Sequence, residues 1–390
     1  MKLAFYYHIP LNPDANHFFV PGYLGVFIDS IANEVDALYL VMHKANTIEI
    51  SGCDYQIKSK NIIWINLGLK TPAWHRAIFH SKILKRTLGQ IADCEVFLVR
   101  SPSPLAPYFH KYIKQTKLVF LVVGDYAESA TQKINKNFRD IIINLYLKNN
   151  DYLFRKRMLH TDVIANSPVL FEKYKENNKS IHLIKTTTLS KDDFFYRKDT
   201  CLNPTIQILY TGLIDSSKGL FELVEAVALL KQTIPNIKLN LVGWEEDEQS
   251  KPIKQALQKK ADELGIGHHI IFHGKKSIGE ELNTFYRMAD IYVIPSYEEG
   301  FPRTIWEAMA NSVPVVATTV GGIPYYLKNK IDAILIKPRS AEDIATAINT
   351  IIENPELRQS LISNGMKQAE NNTLEYQSKK LLNIITNLQS

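Results

Sequence analysis

Short apolar runs alternate with longer amphipathic stretches along the first half of the chain. The apolar runs are continuous, which is typical of strands buried on both faces of a parallel sheet. They predict strands at residues 2–8, 37–41, 62–65, 96–99 and 118–123. The amphipathic stretches predict helices at residues 23–34, 74–88, 107–114 and 138–158. Strand–helix alternation of this kind indicates a doubly wound α/β domain.

The alternation stops at residues 198–204, a charged stretch that contains Thr, Asn and Pro, and this break predicts a domain boundary. A second set follows, with strands predicted at 206–210, 238–242, 270–273, 291–294, 315–317 and 333–336, and helices at 220–232, 254–264, 304–310, 341–352 and from 355 onward. The sequence therefore predicts two Rossmann-like doubly wound domains, residues 1–199 and 200–374, facing a central cleft. Open α/β sheets bind ligands beyond the carboxyl ends of their strands.

The composition is that of an ordinary globular protein, with 390 residues, 45% of them hydrophobic and 22% charged. It excludes a disordered polymer, a collagen-like repeat and a coiled coil. Cys53, Cys94 and Cys201 are far apart and form no CxxC pair, so we expect reduced thiols and a cytoplasmic protein. The N-terminus lacks a signal-peptide pattern, and the apolar runs fall well short of the roughly 20 residues that span a bilayer. We therefore expect a soluble or peripheral protein.

Positive charge is concentrated in the first half, where residues 1–200 hold 27 Lys and Arg against 18 Asp and Glu, whereas the rest of the chain holds 19 against 22. A basic domain suits an anionic membrane, and charge drift between two domains is the alternative. Arg76, Lys82, Lys85 and Arg86 lie on the helix predicted at 74–88, so peripheral membrane contact and a solvated helix face are both open. Nucleic acid is not expected, because the second half is acidic and carries no recognised motif.

The most informative stretch runs from residue 291 to residue 310, where a strand is followed by a loop and a helix. Gly300 allows close approach of the backbone to a ligand, and Pro302 suits the first turn of a helix. The N–H groups at the start of that helix are suited to a diphosphate. Glu299 precedes the helix and Glu307 lies on it, which lets the two carboxylates hold hydroxyls at opposite ends of a ligand. This spacing fits a sugar nucleotide, with Glu299 at the sugar and Glu307 at the ribose.

This stretch resembles the Glu-x7-Glu motif of the retaining family 4 glycosyltransferases, which have the two-domain GT-B fold. Four other segments of the chain resemble this family in the same order: residues 210–219, 239–243, 271–274 and 314–322. The resemblance covers about residues 205–365. It implies that residues 375–390 cross back onto the N-terminal domain.

The resemblance also implies a set of donor contacts. They are Gly212, Lys218, Gly243, Gly274, Glu299, Gly300, Phe301, Pro302, Arg303 and Glu307, with Glu299 and Lys218 also catalytic. Lys218 would bind the donor diphosphate as a compact point charge. The family usually carries Arg where this chain has Leu213, and Arg303 is a candidate replacement for that cation. No metal or cofactor is implied.

The first domain resembles the family less closely. Gly22 and Gly25 occupy the place of its glycine-rich first loop and would approach the diphosphate, although a simple turn before a helix fits equally well. The family often carries His after the strand predicted at 118–123, where this chain has Asp125. Asp125 is the candidate catalytic group on the acceptor side, and a helix-capping Asp is its rival.

The resemblance implies transfer of a sugar from a nucleotide diphosphate donor, most often UDP-linked, to a hydroxyl of a glycan or lipid-linked acceptor. Retention of the anomeric configuration and a role in surface polysaccharide or lipopolysaccharide synthesis fit this interpretation. Two alternatives stay open. One is a nucleotide-sugar epimerase or hydrolase on the same fold, and the other is a non-catalytic nucleotide-sugar-binding partner, suggested by Leu213 and the missing His.

Overall fold

The computed structural model describes residues 1–15, 17–113, 115–124, 138–176, 178, 180–245 and 251–388. The chain forms two compact units. The first comprises Met1–Thr186 together with Glu375–Ser390, and the second comprises Thr187–Leu374. Each unit contains a parallel sheet with helices, as the alternation of buried strands and amphipathic helices predicts.

The first unit is built on a seven-stranded sheet with the order β10-β9-β8-β7-β1-β4-β6, and its strand pairs are parallel. The strands of this unit are β1 (Lys2–Tyr6), β2 (Asn12–Asp14), β3 (His17–Val20), β4 (Ala37–Lys44), β5 (Tyr55–Gln56), β6 (Ile62–Leu69), β7 (Val96–Ser101), β8 (Lys117–Val122), β9 (Asp162–Ala165) and β10 (Ile181–Leu183). The five predicted strands are confirmed as β1, β4, β6, β7 and β8. Strands β2, β3 and β5 form a small antiparallel sheet that the sequence did not predict, because two to four residues are too few to show a period.

The helices of the first unit are α1 (Gly22–Ala32), α2 (Ala73–Ile78), α3 (His80–Thr87), α4 (Phe138–Met158) and α5 (Pro168–Lys175). The single helix predicted at 74–88 is wrong, since the segment is broken between α2 and α3 at Phe79, whose φ and ψ of −93° and 20° are not helical. The helix predicted at 107–114 is a 3-10 turn at Ala106–Lys111. Among the described residues, no helix is long and apolar enough to cross a membrane.

The second unit is built on a six-stranded parallel sheet with the order β13-β12-β11-β14-β15-β16. Its strands are β11 (Ile206–Leu213), β12 (Ile237–Trp244), β13 (Ile270–Gly274), β14 (Ile291–Ile294), β15 (Val315–Thr318) and β16 (Ile334–Ile336). Its helices are α6 (Leu220–Leu230), α7 (Lys251–Glu263), α8 (Glu280–Met288), α9 (Thr304–Ala310), α10 (Ile323–Tyr326), α11 (Ala341–Glu353) and α12 (Pro355–Glu370). Every strand predicted for this half is present, and only α8 and α10 were not predicted.

The segment between residues 187 and 199 lies in the second unit, although the sequence break at 198–204 assigned it to the first. Leu189 is buried in the second unit's core, and the amide of Phe195 donates to the carbonyl of Ala310 at 2.9 Å. The guanidinium of Arg197 also donates to the carbonyl of Ala289, at 2.5 Å. These contacts place the division between compact units before the charged stretch.

The last helix, α13 (Leu374–Asn387), lies almost wholly in the first unit. Leu381 and Ile385 are fully buried in the core of that unit together with Ile184. The hydroxyls of Ser378 and Ser30 lie 2.8 Å apart. The chain therefore returns to its N-terminal unit after completing the second one.

Candidate active site

Three loops of the second unit converge at the carboxyl ends of neighbouring strands. The lysine loop (residues 214–219) follows β11, the glutamate loop (residues 295–303) follows β14, and the glycine loop (residues 319–322) follows β15. Since β11, β14 and β15 are adjacent and parallel, these loops share one edge of the sheet. This edge is where open α/β sheets bind ligands.

Lys218 and Glu299 form an ion pair where the lysine and glutamate loops meet. The Lys218 Nζ lies 2.9 Å from Glu299 Oε1, and the two side chains are only 18% and 14% exposed. The hydroxyl of Ser296 donates to the same oxygen at 2.7 Å. No described residue donates to the other oxygen of Glu299. The structure therefore brings together the two predicted catalytic residues of this unit.

The lysine loop is fixed against the glutamate loop by backbone contacts. The Tyr297 amide donates to the Ser217 carbonyl at 2.8 Å. Gly219 has a φ of +63°, and a Cβ at this position would lie 2.1 Å from the carbonyl oxygen of Pro295. Asp215 closes the loop by accepting from the Ser217 amide at 2.7 Å. The position of Lys218 is therefore set by main-chain packing, and not by its flexible side chain alone.

The glycine loop packs on the other side of the glutamate loop. Gly321 has a φ of +53°, and a Cβ there would lie 1.6 Å from the carbonyl oxygen of Glu299. The amide of Gly322 donates to the carbonyl of Gly300 at 2.6 Å. The Thr318 hydroxyl donates to the Ser296 carbonyl at 2.6 Å. The backbone that carries Glu299 is thus held from both sides.

Glu307 lies in a more enclosed environment than Glu299, since only 6% of the residue is exposed. Its Oε1 accepts a hydrogen bond from the Thr188 hydroxyl, and its Oε2 accepts one from the Tyr286 hydroxyl at 2.8 Å. Thr211 lies 2.7 Å from the Tyr286 hydroxyl and extends this buried network. Burial, with the Glu307 charge next in effect, raises the pKa of Tyr286 well above its usual value, so this phenol stays a donor. Each carboxylate oxygen of Glu307 has a second lone pair that a ligand hydroxyl can use.

The helix that follows the glutamate loop begins at Thr304, as predicted, but Pro302 lies outside it. Helix α9 starts at Thr304 with Arg303 at its N-cap, so Pro302 precedes the helix and does not lie in its first turn. The carbonyl of Pro302 accepts from the Ile305 amide at 3.1 Å. The ring of Phe301 stacks on Trp306 with 4.5 Å between centroids, which anchors the loop to the core.

The remaining predicted donor contacts of this unit lie at neighbouring strand ends. Gly212 and Gly243 face each other in the register of β11 and β12, and Gly274 ends β13 opposite Val242. Leu213, which replaces the cation common in the resembling family, ends β11, and its carbonyl accepts from the Tyr210 hydroxyl at 2.7 Å.

Of the three residues predicted for the site in the first unit, the two glycines contact other parts of the same unit and the third is not described. The Gly22 amide, at the start of α1, donates to Asp54 Oδ1 at 2.8 Å, so in this structure it already has an anionic partner. A Cβ at Gly25 would lie 2.1 Å from the ring of Tyr55, so this glycine is required for packing of α1 on β5. Asp125 lies outside the described residues.

Sequence reasoning missed the polar partners of the two carboxylates. Thr188 and Tyr286 hold Glu307, and Ser296 holds Glu299. Thr188 comes from the segment assigned to the wrong domain, and Tyr286 lies on a helix that was not predicted. Ser296 is the only one with a sequence signal, since it stands three residues before Glu299 at the end of a buried strand.

Comparison with known proteins gives a family for the second unit. Residues 194–368 match the family model of glycosyl transferases group 1. D-inositol 3-phosphate glycosyltransferase of Streptomyces griseus is 34% identical over 155 residues, which cover 38% of this chain and 32% of that protein. Mannosylfructose-phosphate synthase of Agrobacterium fabrum is 32% identical over 198 residues, covering 47% and 43%. The chain therefore matches about a third to two-fifths of the length of these curated relatives.

The fold comparison extends over the whole chain. The crystal structure of HepE from Anabaena in complex with UDP has a TM-score of 0.72 and 16% identity, covering 99% of this chain and 100% of HepE. WaaG, a glycosyltransferase involved in lipopolysaccharide biosynthesis, has a TM-score of 0.69 and 16% identity, covering 98% and 99%. At such identities the likeness establishes the fold, which is the GT-B architecture of two Rossmann-like domains. With residues 194–368 matched by its model, the C-terminal domain of this chain belongs to the glycosyl transferases group 1 family.

Proposed function

We propose that this protein is a retaining glycosyltransferase that transfers a sugar from a nucleotide diphosphate donor to an acceptor hydroxyl. The observation that carries the proposal is the Lys218–Glu299 pair, largely buried at the carboxyl edge of a domain of the glycosyltransferase family. A lysine suits a diphosphate, and a carboxylate suits sugar hydroxyls. Both groups stand in loops whose backbones are locked together, which is the preorganisation that transfer chemistry needs.

Donor binding would exchange the partners of this pair. The diphosphate would take the Lys218 ammonium from Glu299 and leave the carboxylate to accept hydroxyls of the donor sugar. Ser296 would keep Glu299 in place during the exchange, since its hydroxyl bonds the carboxylate independently of Lys218. The ion pair thus holds each group near the position in which it would meet the donor.

In the transfer step the bond between the anomeric carbon and the β-phosphate oxygen breaks, and a bond to the acceptor oxygen forms. Negative charge builds on the departing diphosphate, and Lys218 would stabilise it. The acceptor proton would pass to the departing phosphate oxygen, with attack on the face from which that oxygen leaves, so that the configuration is retained. The family resemblance supports this course, and it requires no metal ion.

Glu307 would bind the ribose through the lone pairs that Thr188 and Tyr286 leave unused. Its burial suits this role, because a hydroxyl that reaches a desolvated carboxylate makes a stronger hydrogen bond than one in water. A UDP-sugar is the favoured donor. HepE, which shares the fold, has been crystallised with UDP and with UDP-glucose.

The proposed acceptor is a glycan or a lipid-linked molecule. The proposed pathway is bacterial surface polysaccharide or lipopolysaccharide synthesis at the inner face of the membrane. WaaG and the teichuronic acid glycosyltransferase of Bacillus subtilis, which is 36% identical over 140 residues, belong to such pathways by name. The first domain would bind the acceptor, and Asp125 would be the catalytic group on the acceptor side.

Product analysis tests the reaction. We expect UDP to raise the unfolding temperature more than other nucleoside diphosphates do. The best UDP-sugar should give a glycoside of unchanged anomeric configuration, observed by NMR, once a glycan or lipid-linked acceptor is added. Conversion of the donor to free sugar or to an epimer at the same rate with and without acceptor would indicate a hydrolase or epimerase. Binding without turnover over the whole acceptor panel would indicate a non-catalytic partner.

Membrane contact of the first unit is a separate part of the proposal. Trp74, Ile78 and Phe79 are 55%, 63% and 45% exposed. They precede the exposed cations Lys82, Lys85 and Arg86 on α3. Arg76 does not belong to this surface, since it is only 5% exposed. Large apolar side chains beside several cations fit the interface of an anionic membrane.

Vesicle binding tests this contact. We expect the protein to cosediment with phosphatidylglycerol vesicles and not with phosphatidylcholine vesicles. Replacing Lys82 and Lys85 by Gln should weaken binding about tenfold or more, because each lysine near an anionic surface contributes about 1 kcal/mol. Trp74→Ser should weaken it as well, whereas Leu202→Ser, at a 73% exposed position of the second unit, should not. Equal binding of all variants would favour the solvated helix face.

A further inference from the structure

Cationic and histidine side chains meet at the carboxyl edge of the first unit's sheet, outside the site described above. Arg100 lies near the end of β7, His8 follows β1, and His43 lies near the end of β4. Strands β7, β1 and β4 are consecutive neighbours in the sheet and run parallel. This edge is equivalent to the one that carries Lys218 and Glu299 in the second unit.

Arg76, on α2, is the most unusual member of this group. The residue is only 5% exposed, and its Nε and Nη1 are buried without a hydrogen-bond partner among the described residues. No acid of the described chain pairs with it, although buried guanidinium groups in proteins are normally paired. Helix α2 follows β6, the parallel neighbour of β4, so Arg76 lies at the same carboxyl edge of the sheet. Its charge contributes to the lowered pKa of His8 and of His43.

Arg100 carries a second guanidinium, which contacts with His8 and Tyr7 hold in place. Its Nη1 donates to His8 Nδ1 at 2.8 Å, and its guanidinium lies 5.1 Å from the centroid of the Tyr7 ring. The Nε of Arg100 is also buried without a partner in the described part of the chain. The histidine orients the guanidinium without neutralising it.

The histidines add no charge of their own at neutral pH. Burial, followed by the charges of Arg100, Lys70 and Arg76, lowers the pKa of His8 to about 2. Burial, followed by the charge of Arg76, lowers the pKa of His43 to about 4. Lys70, whose charge also acts on both histidines, is paired with Glu49. The group therefore presents two guanidinium charges that lack an anion.

Burying a cation away from water is costly unless an anion compensates it, and guanidinium groups match the oxygen pairs of phosphates and carboxylates. We propose that the edge formed by Arg76, Arg100, His8 and His43 binds an anionic group, a phosphate ester or a carboxylate, of the acceptor. This inference rests on the proposed function for the word acceptor, whereas the anion site itself stands on the first unit alone. Lys218 in the second unit already serves the donor diphosphate, so this anion is a second one.

Anion binding is measured with the donor site saturated by UDP. The ligands are inorganic phosphate, glucose 6-phosphate, glucuronate and glucose. The binding of each is measured by calorimetry and by the shift of the unfolding temperature. We expect the phosphate or the carboxylate sugar to bind and glucose not to bind. Arg76→Met should lower the affinity for the anion about tenfold to a hundredfold, which is the effect of losing one charge-assisted hydrogen bond. Arg76→Lys should restore part of that affinity. Arg157→Met, which removes a more exposed arginine of the same unit, should change nothing.

The stability of the ligand-free protein separates a binding role from a structural one. Without anion, Arg76→Met should unfold at the same temperature as the parent or higher, because an unpaired buried charge is removed. A fall of several degrees in both Arg76→Met and Arg76→Lys would make Arg76 a structural group and overturn the proposal. Arg100→Met gives a second test and should lose anion affinity as well.

Two further outcomes would overturn the inference. Equal binding of all four ligands by parent and Arg76→Met would show that no anion site exists. Weaker UDP binding by Arg76→Met, with no change for the sugar anions, would assign Arg76 to the donor. Anion binding that needs Arg76 in a protein that transfers no sugar would support the site and defeat only the proposed function, so the two failures are distinguishable.

Discussion

Lys218→Met should weaken UDP binding about tenfold to a hundredfold, whereas Glu299→Gln should leave UDP binding unchanged or strengthen it. The ammonium of Lys218 would bond the diphosphate directly, and a hydrogen bond to a charged group contributes about 1.5–3 kcal/mol. Glu299 would contact only the donor sugar, which UDP lacks, and its Oε1 pairs with the Lys218 Nζ at 2.9 Å. Neutralising Glu299 therefore frees the lysine. Calorimetry with UDP measures both affinities.

Sugar transfer, unlike UDP binding, should fall in both variants. Glu299→Gln should lower kcat by about ten- to a hundredfold with the best UDP-sugar, since a sugar contact is lost while the nucleotide still binds. Lys218→Met should lower both the affinity for the donor and kcat, because the same charge would stabilise the departing diphosphate. Lys337→Met, at an exposed position of the second unit, is the control for charge removal. Unchanged UDP affinity in Lys218→Met would remove the lysine from the donor site, and full activity of Glu299→Gln would remove the glutamate.

The sheet and the main loop of the second unit were predictable because each leaves a local trace in the sequence. A continuous apolar run such as residues 291–294 can only be a buried strand or a short buried helix, and the loop residues that follow decide for the strand. Helix α9 was predicted at residues 304–310, with the structure's own bounds, because its apolar period begins directly after the loop. The structure differed only at Pro302, where the turn precedes the helix.

The parts that were missed depend on contacts between residues far apart in the chain. Thr188 and Glu307 are 119 positions apart, and no local sequence pattern predicts their hydrogen bond. Arg76 looked like one of several cations on an amphipathic helix. In the structure Arg76 lies on the short helix α2 and is buried, and burial is a property of the tertiary structure that residue spacing does not report.

Gly321→Ala should lower kcat/KM by roughly a hundredfold, although this residue carries no functional group. A Cβ at Gly321 would lie 1.6 Å from the carbonyl oxygen of Glu299, so one of the two loops must move by more than an ångström. The carbonyl belongs to the residue whose carboxylate would hold the sugar, and a misplacement of about 1 Å can reduce catalysis about a hundredfold. The φ of +53° adds a conformational penalty of about 1–2 kcal/mol for any L side chain.

Gly265→Ala separates these two effects. Gly265 has a similar φ of +68°, and nothing lies within 4 Å of the Cβ that would be added. We expect it to lose about 1–2 kcal/mol of the free energy of unfolding, with UDP affinity and transfer rate unchanged, because it has the conformational penalty without the collision. Gly321→Ala should lose at least as much stability and most of the activity. Equal activity in the two variants would mean that the glycine loop does not position Glu299, and that the carboxylate can reach the sugar from a displaced backbone.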